Sequence, residues 1–482
     1  MRCARIASWL GFCLLIAALS GCSFGIGVRK VNSTPLLAAW KASIADTEEL
    51  SPRTLQTLRQ LDLANTYQRH PEHAYAQLHR ITLDEPQQAD LLFALSEMSY
   101  HLGRAAEKRN DPEAVCWYYL CSGYAYHFLF PSDVVERADL LPAVTRDAFD
   151  PRFRLACDLY NSGLSKCIRA AQRVGRLDPR HHLHLPGAGD GFTLSVKHHG
   201  FAWEPEEFGP LLFCSDYEVV GLDNHFRTYG LGVPLIGMRE ATAANAAPGH
   251  AFYPREVSFP VTAFFRFRGS LADLAARRAG RLELYNPLTV QSVQIAGKQV
   301  PLETDLTTPL AYFLSRTDLE GIQYAGFLRA DTLRHRQGIY LFEPYQPGKI
   351  PVLMVHGILS SPLTWTPLFN ELRADPELRK HFQFWFYLYP TGNPYIVTAA
   401  DLRVSLDRLR YDLDPHRRDP ALDQMVFVGH SMGGLVSKML TQSSDDQFWR
   451  LVSKEPFEEL KGDPETRQEL QRIFFFDRES CI

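Results

Sequence analysis

Gly429, Ser431 and Gly433 stand in a Gly-x-Ser-x-Gly spacing directly after the apolar run Met425 to Val428. A serine attacks an acyl carbon only when its hydroxyl stands clear of the backbone, and a strained strand-to-helix turn presents it that way. Glycines two positions before and after the serine let the strand and helix approach closely enough to make that turn. His430 is the variable residue between. A helix N-terminus beyond the serine favours developing negative charge. The backbone N–H of Met432 can point into an oxyanion hole. About 70 residues upstream, Val352 to Val355 run into His356, Gly357 and Ile358, where a second donor is expected. The serine pattern alone is weak, since chance supplies it in roughly one chain in ten of this length. Its position after a buried strand and before a helix, with His-Gly upstream, is what gives it weight.

The elements that must hold these residues read as alternating strands and helices. Val352–Val355, Phe382–Leu388 and Met425–Val428 are short apolar runs suited to buried parallel strands. Helices are predicted from about Thr366 to Leu372, from Thr398 to Leu413, and after the elbow. This is a doubly wound α/β pattern over residues 336–482. Residues Ile350 to Leu440, with VLMVHG, the Tyr389–Gly392 loop and VGHSMGG, resemble the lipase/esterase branch of the α/β-hydrolase superfamily. The resemblance implies Ser431 as nucleophile and the N–H groups of Met432 and Ile358 as oxyanion hole. It also implies an ester or lipid substrate. No cofactor is expected, and no CxxC or Cys/His spacing suggests a metal.

The chain departs from that family after the serine. The superfamily places an acid and then a histidine on later strands, yet none of the 51 residues beyond Ser431 is histidine. Asp445, Asp446, Asp463 and Asp477 are the downstream acids, and Asp477 is placed best, at the end of a strand predicted over Ile473–Phe476. His356 and His430 belong to the oxyanion loop and the elbow, not to the position of a base. The expectation is an incomplete sheet on a truncated or frame-shifted chain, weakly active or inactive.

At the other end, two arginines precede an apolar run from Ile6 to Leu19, followed by Leu19, Ser20, Gly21 and Cys22. This is the layout of a secretory leader, 1–21, and its close resembles the lipobox of bacterial lipoproteins. That resemblance implies cleavage before Cys22, lipidation of Cys22 and a linker over 22–34. It further implies an envelope location, at the outer membrane facing the periplasm, since Ser23 follows the cysteine. An ordinary signal peptide is the alternative. Six further cysteines remain, and no bridge is assigned among them.

Between these ends, 35–182 reads as helical hairpins. Asp90 to Gly103 carries helical periodicity and is expected to stop at that glycine, and Asp111-Pro112 and Asp150-Pro151 open further helices. The arrangement loosely resembles tetratricopeptide-type repeats. A plain packing domain and a groove for a protein partner are both open. Residues 183–335 are β-rich, with strands expected at Phe192–Val196, Leu211–Val220, Val257–Phe267, Arg281–Tyr285 and Val293–Ile295. This stretch is either a separate domain or an extension of the C-terminal sheet. His181, His182 and His184 read as solvated linker residues. His198 and His199 point to opposite strand faces. A net charge of -4 without a basic block excludes nucleic acid as the expected partner.

Three functions compete. The first is a membrane-anchored serine hydrolase of carboxylic or lipid esters, acting through an acyl-enzyme on Ser431. An acyltransferase would use the same serine. The third is a non-catalytic envelope lipoprotein acting through its helical domain.

Overall fold

The computed structural model describes residues 27–30, 49–131, 149–186, 191–240, 249–254, 257–276, 280–316 and 336–478. The leader, Cys22 and Cys481 lie outside them. Within the stretch read as linker, Gly27–Lys30 is a strand paired antiparallel with Tyr217–Val220, so part of 22–34 belongs to the β region. No helix among the described residues is long and apolar enough to cross a membrane.

The helical part is organised around Ala114–Leu129, which is buried at every position but one. A helix that is apolar all round must be enclosed. Ala89–Lys108 packs on one side and Pro151–Arg173 on another. Gly103 does not end its helix, as its residue type suggested; the helix runs on to Lys108. The glycine is there for packing, since a Cβ would lie 2.8 Å from the Tyr118 ring. Gly163 makes the same kind of room, a Cβ there lying 3.0 Å from the Tyr118 carbonyl. Asp150 caps its helix as expected, accepting from Arg152 N–H, with Pro151 in the first turn. Asp111 accepts from Glu113 N–H, but the helix begins only at Ala114.

This helical layer lies on a seven-stranded sheet. The spatial order is Leu177–Asp178, His182–Leu185, Phe192–His199, Gly280–Tyr285, Ser258–Phe267, Val233–Arg239 and Phe208–Phe213. Tyr119 and Tyr126 pack on Phe264, Phe265 and Phe267. The Tyr160 hydroxyl accepts from Phe265 N–H at 2.9 Å and donates to Phe265 C=O at 2.7 Å. All five expected strands are present. Leu211–Val220 is broken by a short 3-10 turn at Cys214–Asp216. The sheet starts earlier than the boundary at 183, because residues 177–178 already pair with 182–183. His182 and His184 are therefore strand residues, not linker residues. His198 packs tilted against Phe208, and His199 stacks on Tyr285. Cys116, Cys121, Cys157, Cys167 and Cys214 are free thiols.

The C-terminal part is a four-stranded sheet in the order Gly338–Leu341, Phe382–Leu388, Ile350–Val355, Val426–Gly429. The first strand is antiparallel and the other three are parallel. Alternate side chains serve two cores, as strands buried on both faces require. Leu353, Val355, Trp385 and Tyr387 join Leu402, Leu406 and Leu409 of the helix Tyr395–Leu413. Val352, Met354, Phe384 and Phe386 join Phe369, Leu310, Phe313 and Leu314. The last three come from Thr307–Arg316, a helix within the stretch read as β-rich. It covers one face of the C-terminal sheet and joins the two parts.

The strand expected at Ile473–Phe476 is not formed. Pro464–Phe474 is a helix, N-capped by Asp463 through Thr466 N–H. The cap and a charged outer face outweigh the short aromatic run. Phe475 follows the helix in extended conformation, and Phe476 C=O accepts from Ser444 N–H at 2.9 Å.

Candidate active site

Ser431 sits between the strand Val426–Gly429 and the helix Met432–Leu440, with φ 53° and ψ −121°. A non-glycine residue with positive φ is strained, and this conformation persists only where its neighbours hold it. The neighbours do so here. His430 N–H donates to Val355 C=O at 3.1 Å, and Gly433 N–H donates back to His430 C=O at 2.9 Å. Both flanking glycines are required. A Cβ on Gly429 would stand 2.5 Å from Gly433 C=O, and one on Gly433 would stand 2.2 Å from Val355 C=O. The serine is left exposed at the carboxyl end of a parallel strand.

The His356-Gly357-Ile358 loop lies against it. A Cβ on Gly357 would fall 3.1 Å from Ser431 Cβ, so only glycine lets the loop approach the serine this closely. Neither the Met432 N–H nor the Ile358 N–H has a hydrogen-bond partner among the described residues. Two undonated N–H groups therefore lie one in the residue after Ser431 and one in the loop packed against it, the kind of donor from which an oxyanion hole is built. Ile358 is 48% exposed and Leu359 37%, so the rim of the site beside these donors is apolar.

The loop is clamped by the Tyr389–Gly392 segment. The Tyr389 hydroxyl donates to His356 C=O, and its ring stacks on the imidazole with centroids 4.3 Å apart. Thr391 Oγ1 accepts from Leu359 N–H at 3.3 Å. His356 itself is fully buried. Its Nδ1 lies 3.1 Å from Gly357 C=O, and its Nε2 faces Tyr389 N–H at 3.5 Å. Both nitrogens are thus committed to backbone, with Nδ1 the donor and Nε2 the acceptor. His356 positions the loop.

Burial pushes the His356 imidazole down to about 4. A histidine depressed in the folded state holds its proton more tightly when unfolded. Its contribution to stability is complete above pH 6.5 and is lost as pH falls from there toward 4. His356→Asn is expected to reduce proton uptake on unfolding near pH 5 by about one per chain. Urea midpoints measured across that range give the slope; an unchanged slope would contradict the neutral buried ring.

No imidazole or carboxylate hydrogen-bonds the Ser431 hydroxyl among the described residues. His430 is exposed at the elbow. Asp446 pairs with Arg450 at 2.6 Å, and Asp463 caps a helix. Asp477 is exposed and follows the short extended segment, so the strand end on which it was placed does not exist. Such an arrangement presents a hydroxyl beside undonated N–H groups, and no proton acceptor is bonded to it among the described residues. The clamp by Tyr389 and Thr391 was hidden in the sequence, although the Tyr-Pro-Thr-Gly run marks its location. No group of three or more His, Cys, Asp or Glu among the described residues is placed to hold a metal ion.

Comparison with protein-family models, curated proteins and solved structures yields no match to this chain.

Proposed function

We propose that the chain carries the nucleophile half of an α/β-hydrolase-type esterase site, with Ser431 attacking an acyl carbon. The observation that carries this reading is the strained serine at φ 53° beside two unpaired backbone donors. The Met432 and Ile358 N–H groups would hold the tetrahedral oxyanion, and water would release the acid. The apolar rim at Ile358 and Leu359 favours an acyl chain over a polar substrate. Lipidation at Cys22 would place the site at the envelope surface, beside lipid esters. The test is labelling of the full chain with a fluorophosphonate, followed by peptide mass spectrometry. Label on Ser431 supports the reading; label elsewhere, or none after prolonged exposure, sinks it.

One observation favours a second reading. The serine has no base among the described residues, and a non-catalytic lipoprotein needs none. In that case the helical layer would do the binding, and full-length chain would recover a specific envelope partner without any Ser431 reactivity.

A further inference from the structure

The loops that leave the seven-stranded sheet meet the amino-terminal end of the four-stranded sheet around a cavity of about 250 Å³. Phe201, Trp203, Phe259 and Phe342 give it aromatic walls. Lys349, Arg373 and Arg379 also line it, and Glu343 is the only carboxylate that does. Arg373 and Arg379 are 4% and 6% exposed. Charge held this far from water is costly unless it is matched by an opposite charge.

Protein groups supply only part of the match. Arg379 donates from Nε to Leu288 C=O at 2.7 Å and from Nη1 to Arg373 C=O at 2.6 Å. Lys349 donates to Arg379 C=O, and Arg373 Nη2 donates to Leu306 C=O. These are neutral acceptors. The ion pair from Arg373 to Glu343 is long, at 3.4 Å, and Arg373 Nε has no partner. Within the aromatic-walled space the three cations have one carboxylate, the distant Glu343, while Asp305 and Asp375 act on Arg373 and Arg379 from outside its lining. Burial is the largest influence on all three cations and lowers their proton affinity; Glu343 opposes it at each, and a positive neighbour adds a smaller lowering at Arg379 and Lys349.

We propose that this cavity binds a small organic oxyanion, a carboxylate or phosphate held by Lys349, Arg373 and Arg379 with its carbon body against the aromatic walls. Arg373 Nε and Arg379 Nη2 are the guanidinium nitrogens not already donating to protein, so each arginine would offer a single charged donor, and an ammonium adds a point charge. The site is separate from Ser431. Lys349 precedes the six-residue strand Ile350–Val355, and His356 follows it, which sets the two ends about 20 Å apart. The anion would bridge the two sheets and tighten their seam.

The experiment is calorimetric titration of the full chain with benzoate and with inorganic phosphate, against sodium chloride at matched ionic strength. Saturable binding of either is expected, with the unfolding temperature raised by about 2–4 °C at saturation. The responding anion identifies the head group. Ser431→Ala should bind as the unaltered chain does, which separates this outcome from that of the hydrolase reading. Lys349→Met, which keeps the aliphatic stem, should weaken binding about ten-fold or more. A response no greater than that of chloride would overturn the proposal, leaving the three cations as braces for backbone carbonyls. That comparison needs no variant, so it decides the matter even if Lys349→Met fails to fold. Undiminished binding by a folded Lys349→Met would equally overturn it, as an adventitious additive only.

Discussion

A Ser431→Ala variant is expected to lose all fluorophosphonate labelling and all turnover of a p-nitrophenyl ester, with its unfolding temperature unchanged. The hydroxyl makes no hydrogen bond among the described residues, so removing it forfeits no folded-state contact. Alanine and serine meet the same strain at φ 53°, and the change in stability should stay within about 0.5 kcal/mol. The starting activity is expected to be low. No general base meets Ser431 among the described residues, and lack of one costs about 10²–10⁴-fold, while oxyanion donors alone can sustain some activity. Imidazole added to the buffer should therefore raise turnover by the unaltered chain and leave Ser431→Ala silent. Equal turnover by both proteins would remove Ser431 from the chemistry.

Gly433→Ala should unfold the elbow, while Gly434→Ala, one residue on, should do no harm. A Cβ on Gly433 would lie 2.2 Å from Val355 C=O and 2.5 Å from His356 C=O. Both are backbone atoms of the central strand and its loop, and no rotamer change moves them. The strand must yield, and the His430 N–H bond to Val355 C=O goes with it. The cost is about 3 kcal/mol, with loss of Ser431 reactivity as the loop withdraws. At Gly434 the nearest atom to an added Cβ is 3.6 Å away. Alanine there fits the helix and should stabilise it by about 0.5–1 kcal/mol. Denaturant midpoints of the two variants check this directly. Similar values would mean that the strand and helix are not held as closely as the carbonyl distances require.

The two glycines also show how far local sequence reaches. The Gly-x-Ser-x-Gly spacing after an apolar run announced a strand, a tight turn and a helix, and all three are present, although the strand expected to be buried is an edge strand open to solvent. The strand Phe382–Leu388 was legible to the residue, because a run buried on both faces is almost continuously apolar, with Gln383 its one polar interruption. Gly103 misled for the opposite reason. Its type signals a helix end, but it answers to the Tyr118 ring packed against it from another helix. The Ile473–Phe476 run misled in a related way, since strand propensity is mostly a matter of packing, and a capped amphipathic helix claims those residues first.

Composition and spacing by themselves therefore determined the α/β pattern of the C-terminal part, the helical character of 49–131, and the identity of Ser431 as the reactive candidate. These follow from periodicity and from local turn chemistry, which act over a few residues. Tertiary structure alone decided that Tyr389 and Thr391 clamp the His356 loop and that Thr307–Arg316 covers a face of the second sheet. It alone gathered Lys349, Arg373 and Arg379 around one cavity. Each of these depends on residues far apart in the chain meeting at a fixed distance, and no local pattern encodes that meeting.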